Sequence, residues 1–326
     1  MISGGLHNKH GLLRTSGGRC SLKLAPARSK RSMETSTVAA AAKAKDAAPA
    51  KNFKLMGGGP KPFQLNPSQA FTIAAAAFPM VARFGSGGFG VGYSAKLDTD
   101  DGTYGAVKLA GRKVTETSQV GQFKRPSKMI EIYEFEGCPF CRKVREAVSI
   151  LDLDVMFYPC PAGGPTWREK VKQKGGKASF PYMVDPNTGS AMYESDDIVK
   201  YLFNNYGDGK VPWGLSLGII TALSCGIALI PRLGAGSRYQ QSKLPKQPLE
   251  LWAYEISPFC KVVREKLVAL EIPFVQHTTV RGSPKRQLLV DKYGKFAVPY
   301  LEDPNQRVAM FESSDIIKYL EETYAV

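Results

Sequence analysis

The sequence predicts an α/β protein built from two tandem copies of one βαβαββα module. Residues 130–206 and 249–324 align at a constant spacing of 119 positions through their first half. In this alignment Cys-Pro-Phe-Cys of the first copy corresponds to Ser-Pro-Phe-Cys of the second. Each copy opens with a short apolar strand and a helix whose apolar residues recur at helical spacing. Each later carries an Asp-Pro-Asn turn between two short strands, as a hairpin requires.

The elements follow in the same order in both copies. The thiol-bearing helix has one apolar face, formed by Phe140, Val144, Val148 and Leu151, or by Phe259, Val263, Leu267 and Leu270. Serine in a Glu-Ser pair is expected to cap the last helix. The predicted strands are Ile130–Phe135, Val155–Tyr158, Tyr182–Val184 and Ala191–Tyr193, then Leu249–Tyr254, Phe274–His277, Tyr300–Glu302 and Val308–Phe311. A polar helix precedes each hairpin, around 167–173 or 285–291. This order is that of a thioredoxin-like fold.

The two copies differ where chemistry would occur. Cys138 and Cys141 form a complete pair, whereas Ser257 replaces the first thiol and leaves Cys260 alone. A cysteine just before a helix has a lowered pKa, because unpaired N–H groups there carry partial positive charge, and Arg142 and Lys143 in the first turn are expected to add to this effect. An exposed position at a helix start also suits a reactive thiol better than a packed one. Cys138 is therefore the expected nucleophile and Cys141 the resolving thiol. The alternative is an inert pair inherited from a redox ancestor.

Two further motifs make a resemblance specific. Phe180-Pro181-Tyr182 follows the first thiol motif, and Glu194-Ser195-Asp196 opens a helix after it. The second copy repeats them as Val298-Pro299-Tyr300 and Glu312-Ser313-Ser314. This set resembles glutaredoxins and the N-terminal domain of glutathione transferases. The whole arrangement is similar to a plant and algal chloroplast protein family with tandem domains of this type.

The resemblance implies a glutathione site. The proline would be cis, the residue before it would bind the cysteinyl part of glutathione, and the Glu-Ser pair would hold the γ-glutamyl end. These roles fall on Phe180, Pro181, Glu194 and Ser195, with Phe140 beside the thiols. The counterparts in the second copy are Ser257, Cys260, Val298, Pro299, Glu312 and Ser313. Glutathione would be a co-substrate, and no metal is expected. The helical C-terminal domain of true glutathione transferases has no room in this chain.

The start of the chain differs in composition from the rest. Before Phe53 there are ten Lys or Arg residues against two acidic ones, and no apolar core of a secretory signal. This predicts a plastid transit peptide over residues 1–50, hence a location in the stroma or at the thylakoid or envelope. A disordered basic tail is the alternative, and a nucleic-acid partner is not expected. The remaining predicted units are an N-terminal extension with an apolar segment and short strands (51–127), the first module (128–208), an apolar helical connector (209–246) and the second module (247–326).

The connector contains a long uncharged stretch. Residues 211–231 carry no charge and lie between Lys210 and Arg232. Their length allows a membrane span, although a buried or membrane-surface helix explains them equally well. In the extension, Gly85–Gly90 imitates a kinase glycine-rich loop, but the His-Arg-Asp and Asp-Phe-Gly strings are missing, so a turn is predicted.

Three functions remain open at this stage. The leading hypothesis is a glutathione-linked thiol–disulfide oxidoreductase of glutaredoxin type that acts through Cys138 and Cys141 on protein or small-molecule disulfides. The second is glutathione binding or a transferase-like activity through Ser257. The third is a non-catalytic scaffold in the plastid that docks a partner or a membrane.

Overall fold

The computed structural model describes residues 52–61 and 67–326. The predicted transit peptide lies outside the described residues. The N-terminal extension contains β1 (Lys54–Met56), α1 (Ala70–Ala82), β2 (Ser94–Thr99), β3 (Lys108–Leu109) and β4 (Arg112–Thr117). Strands β2, β4 and β3 form a small antiparallel sheet of their own, called here the extension hairpin sheet. Strand β1 joins the main sheet beside the last strand of the chain.

Both modules have the predicted βαβαββα order, which confirms the fold class. Module 1 consists of β5 (Ile130–Glu134), α2 (Pro139–Ile150), β6 (Val155–Pro159), α3 (Trp167–Gly175), β7 (Tyr182–Asp185), β8 (Ser190–Met192) and α4 (Ser195–Tyr206). Module 2 consists of β9 (Leu249–Ala253), α7 (Pro258–Ala269), β10 (Phe274–Thr278), α8 (Lys285–Tyr293), β11 (Tyr300–Asp303), β12 (Val308–Phe311) and α9 (Ser313–Tyr324).

The Asp-Pro-Asn hairpins are held by their aspartates. Asp185 Oδ2 accepts hydrogen bonds from Tyr201 and Tyr206 of α4, and Asp303 Oδ2 is bound in the same way from α9. The predicted serine caps are wrong. Glu194 and Glu312 occupy the cap positions without a side-chain cap bond, and each serine is the first helical residue.

The two modules share one nine-stranded sheet, in the order β1-β12-β11-β9-β10-β6-β5-β7-β8. They meet where β6 and β10 pair antiparallel, with Met156 opposite Val275. The main hydrophobic cluster also runs through both modules, from Ile132 and Val148 to Leu251 and Leu267. A smaller cluster belongs to each module alone, around Tyr133 and Trp167 in module 1 and around Trp252 and Tyr300 in module 2.

The connector is not one continuous helix. It contains α5 (Trp213–Ser216) and α6 (Ile219–Leu229), separated by Gly218 with a positive φ of 57°. In the described part of the chain, no helix has both the length and the apolar character needed to cross a membrane. Helices α2 and α7, which begin just after Cys138 and Ser257, are called here the thiol-position helices. Helix α6 packs on α2, and α1 packs on α7, so each thiol-position helix is covered by an apolar helix.

Candidate active site at the start of helix α2

Cys138 occupies the cap position of α2. Its φ and ψ of −89° and 124° are extended, and Pro139 follows as the first helical residue, where a missing N–H costs nothing. Cys138 Sγ accepts a hydrogen bond from the backbone N–H of Cys141 at 3.3 Å. The sulfur therefore takes the place of a capping oxygen and faces the N–H groups that end a helix unpaired.

The two thiols have opposite pKa shifts. Hydrogen bonding from Cys141 lowers the pKa of Cys138 below its ordinary value and outweighs the opposing effect of burial. Burial raises the pKa of Cys141 well above its ordinary value. Because the thiolate is the reactive form, the predicted division into nucleophile and resolving thiol is consistent with this arrangement. Burial likewise raises the pKa of Cys160, in agreement with a non-reactive position.

The two positive charges expected to act on Cys138, those of Arg142 and Lys143, form ion pairs with carboxylates. Arg142 Nε binds Glu146 Oε1 at 3.1 Å, and Lys143 forms an ion pair with Asp196 at the start of α4. Arg145, one turn further along α2, is the cation that lowers the pKa of Cys138. The sequence-based assignment to Arg142 and Lys143 missed this, because both side chains find carboxylate partners only in the folded chain.

A buried ionic network joins the two thiol-position helices. Arg145 Nε lies 3.1 Å from Glu255 Oε2, and Arg264 Nε lies 3.2 Å from Glu136 Oε2. These two contacts are equivalent under the repeat. The network is completed by Arg142 with Glu255 and Lys261 with Glu136, again an equivalent pair. Basic and acidic residues at equivalent positions of both copies, such as Arg145 and Arg264 or Glu136 and Glu255, were the sequence signal that could have revealed it.

Glu134 distinguishes module 1 from module 2. It ends the strand before the thiol turn and pairs with Arg145, whereas the equivalent position in module 2 is Ala253. Burial raises the pKa of Glu134 to about 7. Its negative charge acts on Cys138, Cys141 and Cys160 alike. Sequence reasoning missed this residue, since a glutamate in a predicted strand gives no indication that it will be buried beside thiols.

Cys138 is buried, which corrects the expectation of an exposed thiol. Only 4% of its surface reaches solvent. The loop 233–238 lies over the thiol turn so closely that a Cβ at Gly137 would collide with Ser237 Oγ. Phe140, by contrast, is 45% exposed. Access to the sulfur is therefore narrow.

The predicted glutathione residues of module 1 differ in exposure: Glu194 is exposed, Phe180 is half-buried and Pro181 is buried. The Phe180–Pro181 bond is cis, and the Phe180 ring contacts Phe135 edge-on at 6.1 Å between centroids. Arg168 lies over the Phe180 ring at 4.8 Å. Glu194 has a positive φ of 63° and an exposed side chain, with Lys177 Nζ 4.0 Å away. Ser195, next to it, is buried.

The corresponding residues of module 2 are used structurally. Ser257 Oγ accepts the backbone N–H of Cys260 at 3.3 Å, so the serine acts as a helix cap. The Val298–Pro299 bond is cis as well, and Glu312, just before Ser313, has a φ of 66°. Glu312 already accepts a hydrogen bond from the backbone of Lys61 at 3.3 Å.

The extension hairpin sheet also covers the neighbouring part of module 2. Tyr104 N–H donates to Gln287 Oε1 at 2.7 Å, and the Tyr104 ring contacts Phe296 at 5.4 Å. Glu116 pairs with Arg281 at 2.5 Å and with Arg286 at 3.5 Å. The described residues of the extension do not make these contacts with Glu194 of module 1. The predicted glutathione site of module 1 is therefore more accessible to solvent than that of module 2. Among the described residues, no group of three or more His, Cys, Asp or Glu side chains could hold a metal ion.

The two modules are the part of the chain that is similar to a known protein family. No curated protein matches the chain. A solved structure, the glutathione transferase BmGSTD1 of Bombyx mori, is 27% identical over 26% of this chain and 38% of that chain, with a TM-score of 0.24. The match therefore spans well under half the length of that transferase. Residues 132–210 and 251–326 each match the model of the glutathione S-transferase N-terminal domain family, so both modules are similar to that glutathione-binding domain.

Proposed function

We propose that module 1 is a glutathione-linked thiol–disulfide oxidoreductase in which Cys138 is the nucleophile and Cys141 the resolving thiol. The observation that carries this proposal is the opposite pKa shift of two thiols one helical turn apart, with only the first at the helix start. The free polar end at Glu194 supports glutathione as the co-substrate.

The chemistry balances with glutathione alone. The Cys138 thiolate attacks one sulfur of oxidised glutathione, forms a mixed disulfide and releases a glutathione thiolate. Cys141 then attacks Cys138 Sγ, closes the Cys138–Cys141 disulfide and releases a second glutathione. The proton of the Cys141 thiol is transferred to the released thiolate. Two protein thiols are thereby oxidised and one glutathione disulfide is reduced; two reduced glutathiones reverse the reaction.

The narrow access to Cys138 favours a small disulfide over a folded protein as the partner. A protein disulfide would have to reach the sulfur of a residue that is only 4% exposed, whereas glutathione is a short flexible peptide. We therefore propose small-molecule disulfides as the substrate class. The leader composition supports a plastid location, which a fluorescent fusion of the full chain would test.

The test is trapping of the intermediate in the full chain carrying Cys20→Ser. In this background, oxidised glutathione should give an intramolecular disulfide, and Cys141→Ser should retain one stable glutathione adduct by intact mass. Cys138→Ser should give neither product. This variant should fold, because Ser257 already makes the same cap bond in module 2. Cys160→Ser is the matched control and should behave as the parent does.

A non-catalytic scaffold is the second candidate, favoured by the burial of both Cys138 and Ser257. It predicts no adduct in the Cys141→Ser variant at any pH at which the chain stays folded. That result would refute the oxidoreductase and leave the paired modules as a structural platform.

A further inference from the structure

The outer surface of helices α1 and α6 is apolar to an unusual degree. Twelve of the 21 large hydrophobic side chains that are exposed in the described residues belong to the segments 71–84 and 213–233. Among them are Phe71, Phe84, Trp213, Ile219, Leu223 and Leu233. Contiguous apolar surfaces of this kind mark sites of interaction, since soluble monomeric proteins rarely expose so many large hydrophobic side chains in one region. We call these two segments the apolar face.

The two helices form one surface. They contact each other directly, and Arg232, after α6, donates to the carbonyl of Thr72 in α1 at 3.3 Å. A cleft of about 660 Å³ connects them, with Phe84, Trp213 and Ile220 among its lining residues. Its lining is mainly apolar, and its size would admit part of an acyl chain.

The two arginines next to this surface are directed away from it. Segments 70–82 and 213–231 contain no charged residue. Arg83 and Arg232, which follow the two helices, turn inward to Glu146 at 2.8 Å and Glu265 at 2.7 Å. Both partners lie on the thiol-position helices, at equivalent positions of the repeat. The fold therefore pairs these two arginines away from the outer surface, and Asp208 and Lys210, just before α5, are charged residues that line the cleft besides Arg83.

We propose that the apolar face docks the protein on the surface of a lipid bilayer, with α1 and α6 lying in the interface. Helices of 13 and 11 residues can lie on a bilayer but not cross it. Charge complementarity favours a bilayer with anionic lipids over a second copy of this chain. The chain has a net charge of +15 and stays positive without the ten basic and two acidic residues before Phe53, so two copies repel, and exposed Lys210 and Arg238 bracket the apolar segment of the connector. Trp213 and Phe84 are aromatic residues suited to the interface.

Tryptophan fluorescence gives a specific reporter of docking. The chain has three tryptophans, and Trp167 and Trp252 are buried in the modules, whereas Trp213 is 76% exposed. A blue shift of emission on adding vesicles therefore reports Trp213. We expect the full chain to float with vesicles of phosphatidylcholine and phosphatidylglycerol, with a blue shift and with quenching by brominated acyl chains. Pure phosphatidylcholine vesicles should bind it more weakly.

Paired variants separate docking from general stickiness. Ile219→Asn with Leu223→Asn should weaken vesicle binding by at least about tenfold, since binding scales with inserted apolar surface. Leu109→Asn, at a 77% exposed residue of the extension hairpin sheet, should bind as the parent does. Thermal unfolding checks that each variant folds.

Three outcomes would overturn the proposal. The first is the absence of both flotation and a blue shift with either vesicle. The second is a concentration-dependent blue shift without lipid, accompanied by dimers in sedimentation, which would make the surface an interface between copies. The third is an equal loss of vesicle binding in Leu109→Asn. The thiol variants of module 1 should leave vesicle binding unchanged.

Discussion

Met156 and Val275 face each other across the antiparallel strands β6 and β10, and they are equivalent residues of the internal repeat. Each is the second residue of its strand, and their numbers differ by the repeat spacing of 119. An approximate two-fold axis therefore passes between them. The exchanged ionic contacts of Arg145 with Glu255 and Arg264 with Glu136 obey the same axis. A tandem duplication has thus folded as an internal pseudo-dimer.

This symmetry predicts that the modules unfold together. The shared sheet and the largest hydrophobic cluster run through both modules and couple them, although each module also has a smaller cluster of its own. In variants in which either Trp167 or Trp252 is the only tryptophan, urea transitions monitored by fluorescence should coincide. Two separate midpoints would show that the modules are independent units.

Breaking the buried ionic network should be costly. Arg145→Met leaves the buried Glu134 and Glu255 short of a cation, and such losses cost about 3–5 kcal/mol. Urea unfolding measures the change in free energy. Lys318→Met is the matched control, since its pair with Glu322 is largely exposed and should contribute less than about 1 kcal/mol. Similar small effects in both variants would contradict a structural role for the network.

His277 predicts a pH dependence of stability. Burial alone would lower its pKa, but hydrogen bonds with Asp154 at 3.1 Å and Glu250 at 2.8 Å raise it to about 9. Because folding raises this pKa, the protonated imidazole stabilises the folded chain. That stabilisation is complete below the unfolded pKa of about 6.5 and is lost as the pH rises through 9. From pH 6 to pH 10 the chain should lose on the order of 3 kcal/mol at this site.

The variant His277→Gln isolates that contribution. Its free energy of unfolding in urea should fall less between pH 6 and pH 10 than that of the parent. The other two histidines, His7 and His10, lie outside the described residues. Parallel pH profiles for parent and variant would show that folding does not shift the pKa of the imidazole.

Removing the resolving thiol should change the acidity of Cys138. In Cys141→Ala the side-chain hydrogen bond is lost while the backbone N–H bond remains, so the pKa of Cys138 should rise. Alkylation by iodoacetamide at neutral pH should slow accordingly. The expected readout is the midpoint of the alkylation rate against pH, by mass spectrometry of the Cys138 peptide. An unshifted midpoint would assign the lowered pKa to the helix start alone.

Restoring the missing thiol of module 2 should not restore activity. Ser257→Cys recreates a Cys-x-x-Cys pair, but Lys61 and Tyr104 already cover the neighbouring surface. In a Cys138→Ser background, oxidised glutathione should therefore give no adduct at residue 257. A rapid adduct there would show that the serine alone separates the two modules.

The repeat predicted much of this protein because its signals are local. The strands, the thiol-position helices and the Asp-Pro-Asn hairpins follow from residues close in sequence. The prediction of serine caps was wrong because the chain turns at Glu194 and Glu312, each with a positive φ. Glutamate rarely adopts a positive φ, so residue preferences gave no indication of this turn. The connector is not the single helix that the sequence predicted, because Gly218 also has a positive φ. This conformation allows the chain to turn between two packed helices.

The repeated thioredoxin-like module, the thiol pair at a helix start and the asymmetry between Cys138 and Ser257 follow from the sequence alone. Three features become apparent only in the folded chain: the joining of the modules through β6 and β10, the pairing of Arg142 and Lys143 with carboxylates, and the close approach of the connector loop to the thiol turn. The physical reason is distance along the chain. Propensity, periodicity and capping act between residues a few positions apart, whereas burial and ion pairing depend on partners more than a hundred residues away.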